Sequence, residues 1–151
     1  MFIVVSVNKC YATGAPLHAC AYRAWKLSSL LTRPPAFRNQ FRFLVAKARG
    51  SVVGVFCITG VSPDFLLPGR VQFQLSPLSD SCSIAIENYF NNLLLNDAFE
   101  RRFKRIVGSS YLPVEELQQY NIEIPKLDCC SNSEMVLLQP NQIEVHPRPE
   151  F

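Results

Sequence analysis

Phe41-Arg42-Phe43-Leu44-Val45-Ala46-Lys47-Ala48-Arg49-Gly50-Ser51-Val52-Val53-Gly54-Val55-Phe56-Cys57-Ile58-Thr59 is the stretch on which the fold turns. Two apolar, β-branched runs, Phe41 to Ala48 and Val52 to Thr59, flank Arg49-Gly50. Such runs joined by a short glycine-containing loop signal a β-hairpin. Phe41, Phe43 and Val45 alternate with their neighbours, as do Val53 and Val55, which is the period of a strand. Gly54 inside the second run marks a bulge or a close backbone approach.

Toward the N-terminus, Phe2 to Val7 reads as a short buried strand and Asn8 to Gly14 as a loop. Ala15-Pro16 can open a helix. Leu17, Cys20, Ala21, Ala24, Leu27, Ser28 and Leu31 then recur at helical spacing until Pro34-Pro35 ends it. Toward the C-terminus, Arg70 to Leu75 alternates as a half-buried strand with Val71, Phe73 and Leu75 on one face. Residues from Ile84 to Leu95 suit a helix. Asn96-Asp97 caps a second helix carrying Phe99, Phe103 and Ile106, with Gly108 as its stop. Pro113 to Gln119 offers another helical turn, and Ile122–Ile124 and Met135–Leu138 read as short strands. The expectation is one α+β domain over residues 1–138, followed by a loosely held proline-rich tail from Gln139 to Phe151.

The chain has 151 residues, 48% of them hydrophobic, which is enough for a core and excludes wholesale disorder. No apolar run approaches the roughly 18 residues of a membrane span, and the apolar start lacks the basic flank of a secretory leader. A cytoplasmic protein without membrane contact is expected. The net charge of +3 hides an asymmetry. Residues 1–75 hold nine basic residues and one acid, Asp64, a net +8, whereas residues 76–151 hold six basic and eleven acidic ones, a net −5. That asymmetry points to a polyanionic partner, unless the halves neutralise each other across the fold.

Catalysis has little support. The two histidines, His18 and His146, lie in no activated-nucleophile context, and His18 reads as an ordinary helix residue. A metal-dependent nuclease would have to draw on Asp80, Glu87, Asp97 and Glu100. No glycine-rich phosphate loop is present. The six cysteines, Cys10, Cys20, Cys57, Cys82, Cys129 and Cys130, include no Cys-x-x-Cys pair, and His18, Cys20 and Cys10 lack a fourth ligand. Reduced thiols are expected, with Cys129-Cys130 incidental, and no metal, cofactor or catalytic residue is assigned.

Binding has more to offer. Tyr22-Arg23-Ala24-Trp25-Lys26 interleaves two aromatics with two cations, a mixture suited to stacking on a base and pairing with a phosphate, although a single tryptophan is on base rates slightly more often a core anchor. Arg42 is expected to face away from Phe41 and Phe43. Arg101, Arg102, Lys104 and Arg105 cluster at a helix end, where phosphate contact or the helix dipole would place them.

In order, the Val7-Asn8 strand end, Tyr22 to Ser28, the hairpin Phe43 to Phe56, Arg70-x-x-Phe73 and Phe99 to Arg105 resemble a group of small bacterial and phage-associated proteins. That group is associated with the PUA-like superfamily, which includes the EVE, YTH and ASCH domains, and the resemblance covers roughly residues 2–110. It implies a small, curved, mostly antiparallel β-barrel flanked by helices, with a pocket for a nucleobase, often modified, or a nucleotide-like ligand. By position it implies Asn8, Trp25, Lys26, Arg70 and Phe73 as pocket residues, joined by Tyr22 from the aromatic–basic turn. Arg23, Arg42, Arg101, Arg102, Lys104 and Arg105 would contact phosphates. The expected function is non-enzymatic binding of nucleic acid or a nucleotide-like molecule, the alternative being an adaptor or inhibitor that docks on an acidic protein in a phage or defence setting.

Overall fold

The computed structural model describes residues 1–128 and 134–146. The hairpin forms where the sequence places it, as β3 (Phe43–Ala48) against β4 (Ser51–Pro63). Arg49 at φ +54° and Gly50 at φ +77° make the turn left-handed, which suits the twist of a two-residue hairpin. The register slips between Ala46 and Lys47, opposite Gly54 and Val52, so the expected bulge is present. Close approach is present too: a Cβ at Gly54 would collide with the Leu17 side chain.

Around this hairpin the sheet runs β2 (Arg23–Trp25), β5 (Val71–Pro77), β4, β3, β1 (Phe2–Ser6) and β6 (Ser109–Leu112). A two-residue strand, β7 (Val136–Leu137), pairs in parallel with β4 at Gly60 and Val61. The pairs β1–β6, β2–β5, β3–β4 and β4–β5 are antiparallel, whereas β1 and β3 are parallel. The result is an α+β fold whose mixed sheet curls into a half-barrel flanked by helices.

Both faces of the central strands are covered. Ile3, Val5 and Val7 of the β1 segment join Leu44, Ile58, Val61, Val71 and Phe73 in one cluster. Trp25, from one edge strand, lies in that cluster, and Tyr111, from the other, packs against it, so this is the face the curl encloses. Phe2, Val4, Phe43 and Val55 point the other way, onto α5 (Asp80–Leu93), α6 (Asp97–Lys104) and α7 (Val114–Leu117). Phe41 and Phe43 serve opposite clusters because Phe41 precedes β3, so the strand alternation begins only at Phe43, and within β3 it sorts one core from the other rather than core from solvent. The Asn96 cap is as read, its Oδ1 accepting from Phe99 N, and the structure adds a cap on α5, where Ser79 Oγ accepts from Cys82 N.

Four expectations are corrected. Residues 17–34 are not one helix but α2 (Leu17–Ala21), β2, then α3 (Ser29–Thr32), followed by α4 (Pro35–Arg38). Ala24 sits at φ +72°, which no α-helix accommodates, and pairing of Arg23 and Trp25 with β5 outweighs the helical spacing. Residues 8–12 form a helical turn, α1 (Asn8–Ala12), rather than loop, and Ile122–Ile124 joins no strand. Residues 139–146 make defined contacts: Gln72 Nε2 donates to Pro140 O at 3.0 Å, and Ile143 is buried. The Tyr22 hydroxyl bridges the backbone N and O of His146.

The thiols also differ from expectation. Cys10 and Cys20 form a disulfide with Cα atoms 5.5 Å apart, and Cys57 and Cys82 each belong to a disulfide as well. Cys129 and Cys130 lie outside the described residues. No cysteine among the described residues is free. Spacing along the chain gives no measure of proximity in the fold, which is what decides pairing. Structural disulfides belong to oxidising compartments, so they lend the expected cytoplasmic setting no support. No helix among the described residues is long and apolar enough to cross a membrane.

The Cys10–Cys20 bridge spans a sequence separation of 10. Chain-entropy arguments give such a loop about 2–3 kcal/mol. A Cys10→Ser, Cys20→Ser double variant is expected to lose about that much in denaturant unfolding; an unchanged midpoint would show that α1 and α2 are held without the bridge.

Candidate functional site

The half-barrel leaves a seam between its edge strands, and a cleft fills it. One cavity, of about 310 Å³, is lined by Ser6 to Cys10, by Cys20, by Arg23, Ala24 and Trp25 of β2, and by Val107 and Gly108. A second, of about 320 Å³, adjoins it, shares Ala24, Trp25, Val107 and Gly108, and adds Lys26, Arg70 and Ser109. Each falls at the small end of the range for ligand pockets, about 300–1,000 Å³.

The wall common to both cavities rests on a buried ion pair. Asp64, at the end of β4, accepts from Arg23 Nε at 3.0 Å and Nη2 at 2.9 Å. It also accepts from the backbone N–H groups of Ala24, Leu66 and Leu67. Burial alone would push the Asp64 carboxyl up, but the bonds from Arg23, Leu67 and Leu66 together hold it below its ordinary value. Hydrogen bonding to Asp64 raises the Arg23 guanidinium in turn. Arg70 Nη1 donates to Ala24 O at 2.9 Å. Ala24 is thus gripped at its N–H by Asp64 and at its carbonyl by Arg70, which fixes a left-handed conformation costing about 1–2 kcal/mol in a non-glycine residue.

The cleft carries Lys9, Lys26 and Arg70, plus Arg23 already neutralised by Asp64, and no carboxylate lines either cavity. Lys9 and Lys26 are exposed. Among the described residues each ion pair stays within one half of the chain: Arg23–Asp64, Arg102–Glu116 and Lys104–Glu100. Among the described residues no ion pair joins the two halves.

Comparison with protein-family models, with curated proteins and with solved structures finds no match.

Of the expected pocket residues, Asn8, Trp25, Lys26 and Arg70 line the cleft. Trp25 is 9% exposed, and its indole N–H donates to Ala21 O at 2.8 Å, so it is at once core and wall. Asn8 Oδ1 accepts from Arg49 N at 2.8 Å, tying the seam to the hairpin turn. Tyr22 and Phe73 are corrected: both are buried in the enclosed core, and neither lines the cleft. Phe73 instead borders a separate cavity with His18 and His146. The two imidazoles there have centroids 4.0 Å apart, and burial, then His146, lowers the pKa of His18.

The expected phosphate contacts divide. Arg23 is spent on Asp64. Arg102 is spent too, with Nε on Glu116 Oε1 at 2.9 Å and Nη2 on Ser110 Oγ at 2.8 Å, fastening α6 to α7 and β6. Arg42 precedes β3 at its end remote from the cleft, about 17 Å along the strand from Lys47. Lys104 makes an exposed pair with Glu100. Arg101 and Arg105 are exposed on the helix whose C-terminal continuation, Val107-Gly108, forms the cleft's lip. Lys9 was missed because a lone lysine after a strand has no distinguishing pattern. Lys47 is buried, donates to Phe103 O at 2.6 Å at the end of α6, and is lowered in pKa by that burial. Among the described residues no three His, Cys, Asp or Glu side chains come together to hold a metal ion.

Asp64→Asn strands a buried guanidinium, and a loss of about 3–5 kcal/mol is expected in denaturant unfolding. Because the folded-state pKa of Asp64 is depressed, its contribution is complete above its ordinary value of 3.8 and is lost as pH falls through the lower, folded value. Ala24→Gly, which relieves the left-handed strain, is expected to stabilise by about 0.5–1 kcal/mol. A destabilised glycine variant would show that Ala24 is not strained.

Proposed function

We propose that the chain is a non-enzymatic, PUA-like binding module whose seam cleft takes a nucleobase of a nucleic acid or nucleotide-like ligand. The carrying observation is the cleft between the two edge strands, walled by Trp25, with Lys9, Lys26 and Arg70 around it and no lining carboxylate. An aromatic wall suits a base, at about 1–3 kcal/mol per stacked base. Cations on both sides suit its phosphates, with Arg101 and Arg105 extending the track beyond the Val107 lip. Reading of the base edge, rather than the phosphate contacts, would carry specificity.

The alternative of an adaptor for an acidic protein draws on the same cations but leaves the cleft unused. Fluorescence anisotropy with single-stranded RNA, duplex DNA and base-modified duplex, each at two salt concentrations, separates the readings. Binding that weakens with salt is expected, and Lys26→Ala or Lys9→Ala is expected to weaken it evenly across sequences and reduce the salt slope by about 1 each. No binding to any nucleic acid, together with a stable complex with an acidic protein, would favour the adaptor.

A further inference from the structure

The loop from β4 to β5 does something the cleft does not require. Phe65, Leu66 and Leu67 stand side by side in sequence and are 44%, 64% and 40% exposed. Consecutive exposed apolar residues cost solubility and usually mark a contact surface. This loop is also firmly built. Asp64 N donates to Arg70 O at 2.8 Å, closing its base, and Arg70 N donates to Leu67 O. The Asp64 carboxylate accepts from Leu66 N and Leu67 N, Gln72 Oε1 accepts from Phe65 N, and the Arg23 guanidinium lies 4.4 Å from the Phe65 ring centroid. The backbone is fixed while the side chains are left in solvent, the arrangement of a preorganised contact rather than of a slack loop.

The same two residues that fix the loop build the cleft. Arg23 and Arg70 line the cavities, and Arg70 is the loop's last residue. The apolar tip and the cleft are thus joined through Arg23 and Arg70.

Resting on the reading of the cleft as a base site, we propose that its base belongs to a nucleic-acid strand rather than to a free nucleotide, and that Phe65, Leu66 and Leu67 pack against the neighbouring bases. A strand offers what the surface lacks: flat apolar faces beside phosphates. Phe and Leu are among the side chains that wedge against base steps. A lipid surface offers apolar depth and anionic charge too, but it leaves the base-sized cleft joined to the tip unused.

The test uses the full, oxidised chain, titrated with the four nucleoside monophosphates and with short single-stranded and duplex oligonucleotides, beside Leu66→Asp and Leu66→Ala variants of unchanged melting temperature. Oligonucleotides are expected to bind about tenfold or more tighter than the monophosphates, the equivalent of one stacked base. Both variants are expected to lose that advantage while binding monophosphates as before. Equal affinity for monophosphates and oligonucleotides, or an oligonucleotide advantage that survives both variants, would overturn the proposal and leave the base site standing. Binding to phosphatidylserine vesicles that Leu66→Asp abolishes, with oligonucleotide affinity untouched, would assign the loop to a membrane instead. Absence of binding to monophosphates and oligonucleotides alike would remove the base site and this proposal together.

Discussion

The buried Arg23–Asp64 pair is the constraint on which the rest of the seam depends. It joins the first residue of β2 to the end of β4, across the intervening strand β5. A charge pair taken out of water gains little net energy over an apolar substitute, but it is strongly destabilising to break, so its value lies in fixing one geometry. Here that geometry is a left-handed Ala24, a rigid β4–β5 loop and the wall shared by two cavities. Asp64 is the single acid among the first 75 residues, and its charge is consumed by Arg23, so no carboxylate lines the cleft beside the exposed Lys9 and Lys26.

The closure of the sheet explains why a cleft exists at all. A barrel that closed fully would pair β2 with β6 and remove both edges, whereas the half-barrel keeps them apart. Exposed edges invite unwanted pairing. At the β2 edge the three-residue length, the bulge against β5 and the positive φ of Ala24 blunt that hazard while shaping the cavity. The Cys10–Cys20 bridge lines the same cleft and ties α1, which carries Asn8 and Lys9, to α2, whose Ala21 carbonyl holds the Trp25 indole. Oxidation and site geometry are thus linked through a few residues.

Much of the sheet was legible because its signals are local. Arg49-Gly50 between β-branched runs, the alternation of Val71, Phe73 and Leu75, and Asn96 before an apolar face each depend on neighbours in sequence. Residues 17–31 misled because their helical spacing is real, but the tertiary pairing of β2 with β5 overrides it, and Ala24 gives no sign in sequence of its positive φ. The site was legible in part: Asn8, Trp25, Lys26 and Arg70 converge, whereas Tyr22 and Phe73 are core. Which arginines are spent, and which cysteines pair, depends on distant partners such as Glu116 for Arg102, and no spacing rule reaches that far.

Trp25 is the single tryptophan, so its indole N–H gives one isolated reporter on the wall of the cleft. The most direct measurement is a proton–nitrogen NMR titration of the oxidised protein with nucleoside monophosphates. The account predicts that the Trp25 indole resonance and the backbone amides of Lys9, Ala24 and Gly108 shift together, saturably, and less at higher salt. Shifts confined to the cavity beside His18 and His146, or none at all, would contradict it.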